Sequence, residues 1–252
     1  YASNDEVVAR FKREARSASA VESEHIVQVF DVGFDPAVGL FMVMEFLKGR
    51  DLGDVLSELK TLEPIVACRI ILQAISGLAK AHQSGIVHRD LKPANVFLCN
   101  RDDGSALVKL VDFGVAKVLR EAESAPETGL TRAGSAIGTA QYMSPEQAQG
   151  LANVDSRSDI YSLGAVLYEM LVGHAMVPDY NTYEQTIIHI VTRPVPRLSE
   201  AIPDIDPALD QLLSDMLHPN ADCRIQTMEQ VRDRLLDIFP DLEGLRVFLA
   251  AC

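Results

Sequence analysis

The sequence predicts an α+β protein in two lobes, a small β-containing front followed by a larger, mainly helical body. Three observations carry this. Residues 26–34 and 40–46 are rich in β-branched and aromatic side chains and flank a short segment with Pro36 and Gly39, which is a hairpin signal. After Gly49 the pattern changes to apolar residues at helical spacing, punctuated by Pro and Gly. A chain of 252 residues that is 48% hydrophobic can bury one substantial core or two lobes of unequal size.

Each element has its own reason. Residues 4–21 read as a helix, with Val7, Val8, Phe11, Ala15 and Ala18 on one side and Lys12, Arg13 and Arg16 elsewhere. Residues 51–59 make a short helix, and Glu63 with Pro64 opens a longer apolar one that Ser84 and Gly85 end. Two strand-like runs follow, 95–99 and 106–111, joined by the turn-rich residues 100–105. A loop rich in Gly, Ser, Thr and Ala covers 121–138. The remainder is helical, broken by a link over 193–207 that carries Pro194, Pro196, Pro203 and Pro207.

Composition excludes several classes. A net charge of -13 disfavours nucleic acid as a partner, because phosphate backbones need a basic surface. The apolar runs near 65–79 and 160–172 are interrupted by polar residues and fall short of the roughly 18–20 residues that span a bilayer. The polar, charged start does not resemble a signal peptide. Four scattered cysteines without a CxxC spacing read as free thiols and suit a reducing cytoplasm. The six histidines show no HxxxH or HExxH spacing, so no zinc site built by the chain is expected.

The chemistry concentrates in three elements. His88-Arg89-Asp90-Leu91-Lys92-Pro93-Ala94-Asn95 offers a carboxylate, an ammonium and a carboxamide within one tight turn. That set suits phosphoryl transfer, which asks for positioning and charge stabilisation more than for covalent chemistry. Alone, Asp90 could equally be a turn or capping residue. Asp112-Phe113-Gly114 ends the second strand-like run, and Gly138-Thr139-Ala140-Gln141-Tyr142-Met143-Ser144-Pro145-Glu146 leads into a helix opened by Pro145 and Glu146.

In this order and spacing the three elements resemble the catalytic loop, the metal-binding DFG and the end of the activation segment of protein kinases. The resemblance implies a two-lobed protein kinase-like fold with an incomplete β-containing small lobe. It makes Asp90 the catalytic base, Lys92 the phosphate contact, Asn95 and Asp112 the ligands of Mg²⁺ (or Mn²⁺), and Thr139 a bridge between Asp90 and Lys92. Lys92 and Thr139 point to the Ser/Thr class, and Ser144 stands where APE has Ala. Phe11-Lys12-Arg13-Glu14-Ala15 resembles the αC helix, so that Glu14 would pair with the ATP-anchoring lysine. Met42-Val43-Met44-Glu45-Phe46-Leu47 resembles the hinge, with Met44 as gatekeeper and the backbone of Glu45 and Leu47 on the adenine of ATP. Asp51 suits either the ribose or a helix cap.

Residues 155–164 resemble the start of αF, where Asp159 would be buried and hold the catalytic-loop backbone. Arg224 would pair with Glu146. The flavour is that of the eukaryotic-like Ser/Thr kinases of bacteria. Arg89 before the catalytic Asp marks the type controlled by activation-loop phosphorylation, with self-phosphorylation expected on Thr128, Thr131 or Ser135. Protein substrates with Ser or Thr hydroxyls follow, and so does a cytoplasmic location, free or within a larger membrane-anchored kinase.

The resemblance also marks a gap. The family's glycine-rich loop and strand lysine precede αC, yet no glycine occurs before Gly33, and Lys12, the first lysine, lies inside the helix with Glu14. The expectation is a kinase domain divided into a partial small lobe over 1–46, a large lobe over 47–240 and an extension over 241–252. The chain alone is expected to bind ATP weakly and to expose apolar surface on the small lobe. The competing reading is a naturally shortened, kinase-like binding protein without catalysis.

Overall fold

The computed structural model describes residues 21–35, 39–113 and 140–247. The expected N-terminal helix with Glu14, the loop with Thr128, Thr131 and Ser135, and Thr139 lie outside the described residues.

The predicted hairpin forms. Strands β1 (Val29–Asp35) and β2 (Gly39–Met44) pair antiparallel, with a register irregularity between Val29 and Asp31. Among the described side chains of this pair only Val32 is well buried, whereas Phe30, Phe41, Val43 and Met44 are exposed, as is Phe46 just beyond β2. Residues 25–27 tie the hairpin to the rest of the molecule. The Val27 N–H donates to the Leu110 carbonyl at 2.9 Å, and the Leu110 N–H donates to that of His25 at 2.9 Å.

A second sheet has the order β3 (Gly49–Asp51), β4 (Val96–Asn100), β5 (Ala106–Leu110), all antiparallel. The two later strands match the expected runs to within a residue or two. The three-residue β3 is an addition to the sequence reading. It is too short to show alternation and is recruited only because β4 offers it a free edge.

Behind this sheet stands α2 (Pro64–Gln83), preceded by α1 (Leu52–Leu59). The Asp51 carboxylate caps α1 by accepting from the Asp54 N–H at 2.9 Å, which realises the capping role. Pro64 opens α2 as expected, where a missing N–H costs nothing. Contrary to the sequence expectation, α2 is long and apolar enough to cross a membrane by length and composition, because the helix extends beyond the apolar run at 65–79. Of its apolar window, 61% is nevertheless buried within the protein. It is the core helix against which α8 (Met228–Ile238), α4 (Arg157–Val172) and β5 pack. α4 is buried on every side, as an internal helix must be if it is apolar all round. The helical body is completed by α3 (Pro145–Ala148), α5 (Tyr183–Thr192), α6 (Leu198–Ala201) and α7 (Pro207–Met216). The proline-bearing link thus contains a short helix of its own. Its Leu198 N–H is held at 2.9 Å by the buried carboxylate of Asp210.

Gly77 lets α2 approach residue 25. A Cβ there would lie 2.8 Å from the His25 carbonyl oxygen and 3.1 Å from a Leu110 methyl. Both neighbours are pinned, so Gly77→Ala is expected to cost about 1–3 kcal/mol despite alanine's better helix propensity. A urea midpoint that stays put or rises in that variant would refute the tight contact.

Candidate active site

The site is built around one carboxylate. Asp159, in the first turn of α4, is fully buried. It accepts from the backbone N–H of His88 and of Arg89, each at 2.8 Å, and lies 2.7 Å from Nε2 of His82 on α2. Two packed helices and the loop after α2 therefore share a single anchor. This clamp holds Arg89 with φ of 66°, a left-handed conformation that a long side chain adopts only under constraint. Asp112 also has a left-handed φ, of 63°.

His88, fully buried, forms the bridge between the two motifs. Its Nε2 lies 2.9 Å from the Val111 carbonyl, its ring packs 4.5 Å from that of Phe113, and its Nδ1 lies 3.3 Å from the Asp90 N–H. A backbone N–H can only donate, so Nδ1 is the acceptor and Nε2 carries the hydrogen. The Val111 N–H in turn donates to the Asn95 carbonyl at 3.1 Å. The residue just before Asp112 is thereby fastened to both ends of the catalytic-loop run.

Within that run the functional groups converge. Lys92 Nζ lies 3.1 Å from Oδ2 of Asp90. Asn95 Nδ2 donates to the Asp90 carbonyl at 2.7 Å and approaches Asp90 Oδ2 at 3.4 Å. The Asn95 carboxamide oxygen is therefore turned away from Asp90 and accepts no hydrogen bond among the described residues. A 3-10 turn over Pro93–Asn95, leading straight into β4, sets the spacing. The exposed Asp112 carboxylate likewise has no hydrogen-bond partner among the described residues.

Below the loop lies a second buried charge cluster. The Arg224 guanidinium forks onto Glu146, at 2.8 Å to Oε1 and 3.0 Å to Oε2. It also donates to the His218 and Arg157 carbonyls and stacks over the Tyr161 ring with its carbon 5.1 Å from the centroid. Ser158 Oγ donates to Glu146 at 2.7 Å. Burial opposes the Glu146 charge, but the hydrogen bonds from Arg224 and Ser158 outweigh it and hold the carboxyl below its ordinary range. Nearby, the Tyr142 hydroxyl donates to Glu169 at 2.6 Å, and burial pushes both groups upward.

At the expected hinge, the Glu45 N–H donates to the Gln28 carbonyl at 2.9 Å. Its carboxylate takes the Gln28 N–H at 2.8 Å and Lys109 Nζ at 2.6 Å, pinning the hairpin to β5. Met44 is exposed and Leu47 partly so. Sequence reasoning missed three of these contacts. They are the His88 bridge, the Lys109–Glu45 pair, and a 2.8 Å bond from Gln147 Nε2 to the Arg89 carbonyl. The S-x-x-Q spacing of Ser144 and Gln147 signals a capping box, which is present, but nothing in it signals the Arg89 contact.

Comparisons with known proteins agree with this arrangement. Residues 2–236 match the protein kinase domain family. The chain is 36% identical over 235 residues to serine/threonine-protein kinase pkn3 of Myxococcus xanthus, and 38% identical over 232 residues to serine/threonine-protein kinase PknB of Mycolicibacterium smegmatis. These matches cover 92% and 91% of this chain but only 42% and 36% of those proteins, so the chain spans about two fifths of their length. Among solved structures, the kinase domain of Mycobacterium tuberculosis PknI superposes with a TM-score of 0.70 at 26% identity, covering 94% of this chain and 81% of that one. On the family match, the relatives and the shared fold together, the chain belongs to the protein kinase family.

Proposed function

We propose that this chain is the catalytic part of a Ser/Thr protein kinase, transferring the γ-phosphoryl group of ATP to Ser or Thr hydroxyls of proteins. The observation that supports this most strongly is the convergence of Asp90, Lys92 and Asn95 on a loop clamped from below by Asp159. A purely binding protein would have no need to hold Arg89 in a costly conformation in order to present a carboxylate and an ammonium 3.1 Å apart.

In this reading Asp90 orients the incoming hydroxyl and accepts its proton as the new O–P bond forms and the bond to ADP breaks. Lys92 steadies the transferring phosphoryl charge, and Thr139 bridges Asp90 and Lys92. Asn95 and Asp112 offer the oxygen donors that Mg²⁺ or Mn²⁺ prefers, and the Asn95 oxygen is already turned away from its own loop. The metal, when bound, neutralises phosphate charge. Glu14 belongs to the lysine pair of the small lobe. Met44 guards the back of the adenine site, and the Glu45 and Leu47 backbone holds the adenine. The Glu45 N–H is already used by Gln28, which leaves its carbonyl for that purpose. Asp51 reaches the ribose with the carboxylate that caps α1. Residues 1–46, 47–240 and 241–252 form the small lobe, the large lobe and its extension. The kinase acts in the cytoplasm, in signalling. A phosphate added by self-phosphorylation to Thr128, Thr131 or Ser135 would pair with Arg89.

The test is transfer from γ-labelled ATP by the full-length protein that carries this chain, followed by phosphoamino-acid analysis. We expect phosphoserine and phosphothreonine, formed at rates of about 1–100 s⁻¹ with Mg²⁺ present. Binding of MgATP without any transfer to protein would favour the binding-protein reading instead.

A further inference from the structure

We infer that Gln147 is a positioning residue for Asp90. The peptide plane between Arg89 and Asp90 decides where the Asp90 side chain points, and that plane is reached from two sides. Its N–H, that of Asp90, makes a long 3.3 Å contact to His88 Nδ1. Its carbonyl, that of Arg89, accepts from Gln147 Nε2 at 2.8 Å. The Asp159 clamp acts one and two peptides earlier, on the N–H groups of Arg89 and His88. Gln147 is thus the short, well-formed contact on the peptide that leads directly into Asp90.

The orientation of the Gln147 amide follows from chemistry. Its Oε1 faces the Ser144 backbone N–H at 3.1 Å and the Ser144 hydroxyl at 3.2 Å. A backbone N–H cannot accept, so the oxygen must lie on that side and the NH₂ group on the Arg89 side. The one side chain therefore has two separable functions. Its oxygen completes the capping box of α3, and its nitrogen carries the register of α3 to the strained Arg89 peptide. Residues 140–149 are themselves fixed to α4 through Ser162 Oγ, which donates to the Tyr142 carbonyl at 2.7 Å, and through the Tyr142–Glu169 bond. A displacement of this segment is transmitted to the Asp90 peptide through Gln147. The effect on catalysis rests on the kinase reading above; the contact and its effect on the loop do not.

The two functions can be separated by substitution. Gln147→Glu keeps the capping acceptor but sets a carboxylate oxygen against the Arg89 carbonyl. Ser144→Ala removes the cap and keeps the Arg89 donor. Amide hydrogen exchange on the full chain then reads each arm. In Gln147→Glu we expect the peptide covering residues 86–92 to exchange about threefold to tenfold faster, with 144–149 little changed. In Ser144→Ala we expect the reverse. Gln147→Met, uncharged and lacking both arms, should loosen both segments and serves if the charged variant folds poorly. In active full-length protein Gln147→Glu should lower kcat by about the same factor and leave KM for ATP unchanged. Unchanged exchange over 86–92 in both Gln147 variants, or the same pattern in Ser144→Ala as in Gln147→Glu, overturns the proposal. Wild-type protein without transfer activity would count against the kinase reading alone, because exchange is measured without turnover.

Discussion

Asp90→Asn is expected to lower phosphoryl transfer by about 10²–10⁴-fold while leaving ATP affinity within about twofold. The magnitude is that of losing a positioned proton acceptor from the transition state. The selectivity follows from the geometry. An asparagine at position 90 can still present an oxygen to Lys92 Nζ and Asn95 Nδ2, now at 3.1 and 3.4 Å, so these two contacts are kept. Its backbone is held by Asp159 and Asn95, neither of which touches the substituted atoms of the side chain more closely. The residues assigned to adenine lie on the hinge, tied to β5 through Glu45 and Lys109, away from this loop. Single-turnover kinetics together with calorimetric ATP binding on the full-length protein make the check. Undiminished transfer would remove Asp90 from the role of base, and a parallel loss of ATP binding would recast it as a binding residue.

Arg224→Ala should destabilise the protein by about 3–5 kcal/mol, the usual cost of orphaning one member of a buried ion pair. The Arg224 side chain is fully enclosed, and its removal strips both Glu146 oxygens of their forked partner, leaving only Ser158. It also removes a donor from the carbonyls of His218 and Arg157. Arg224→Lys keeps the charge but not the fork, so an intermediate loss is expected. Replacing both partners, as in Arg224→Met with Glu146→Leu, should recover much of the deficit, because no isolated charge then remains buried. Urea unfolding midpoints at constant m-value measure all three.

The same pair sets a pH dependence. Glu146 is held below its ordinary range in the folded state, so it binds a proton more readily when unfolded. Its contribution is therefore complete above the unfolded value of about 4.3 and is lost as the pH falls through the folded value. In Arg224→Ala the lowering partner is gone while the burial remains. The stability gap between wild type and variant should accordingly narrow on acidification below about pH 4. A gap that widened instead would mean that Glu146 is not the titrating partner.

Most of the site could be read from the chain alone because it is local. Asp90, Lys92 and Asn95 lie within six residues, and a 3-10 turn opened by Pro93 brings them together whatever surrounds it. The hairpin, the proline-opened α2 and the capped α1 were legible for the same reason: period, turn residues and caps all act within a few positions. The contacts that escaped are long-range. Lys109 meets Glu45 across 64 residues, and Gln147 meets Arg89 across 58. Neither residue carries a local signal of its partner, because a lysine in a strand and a glutamine in a helical first turn each have an ordinary surface reading.

The sequence by itself determined the family, the order of the elements and the identity of the groups that face the chemistry. These follow from residue types at short spacing, where the chain's own geometry limits the outcomes to a few. The tertiary structure decided the geometry by which those groups are held, including the His82 contact that the resemblance had not implied. One buried carboxylate, Asp159, meets two loop amides and a histidine from another helix, and one arginine, Arg224, closes onto Glu146 from 78 residues away. The physical reason is that a buried charge must find its partners wherever the packing brings them. Such pairings depend on the whole folded core: the family resemblance implied that Asp159 holds the loop backbone and that Arg224 meets Glu146, but the residue types at those positions carry no local mark of it.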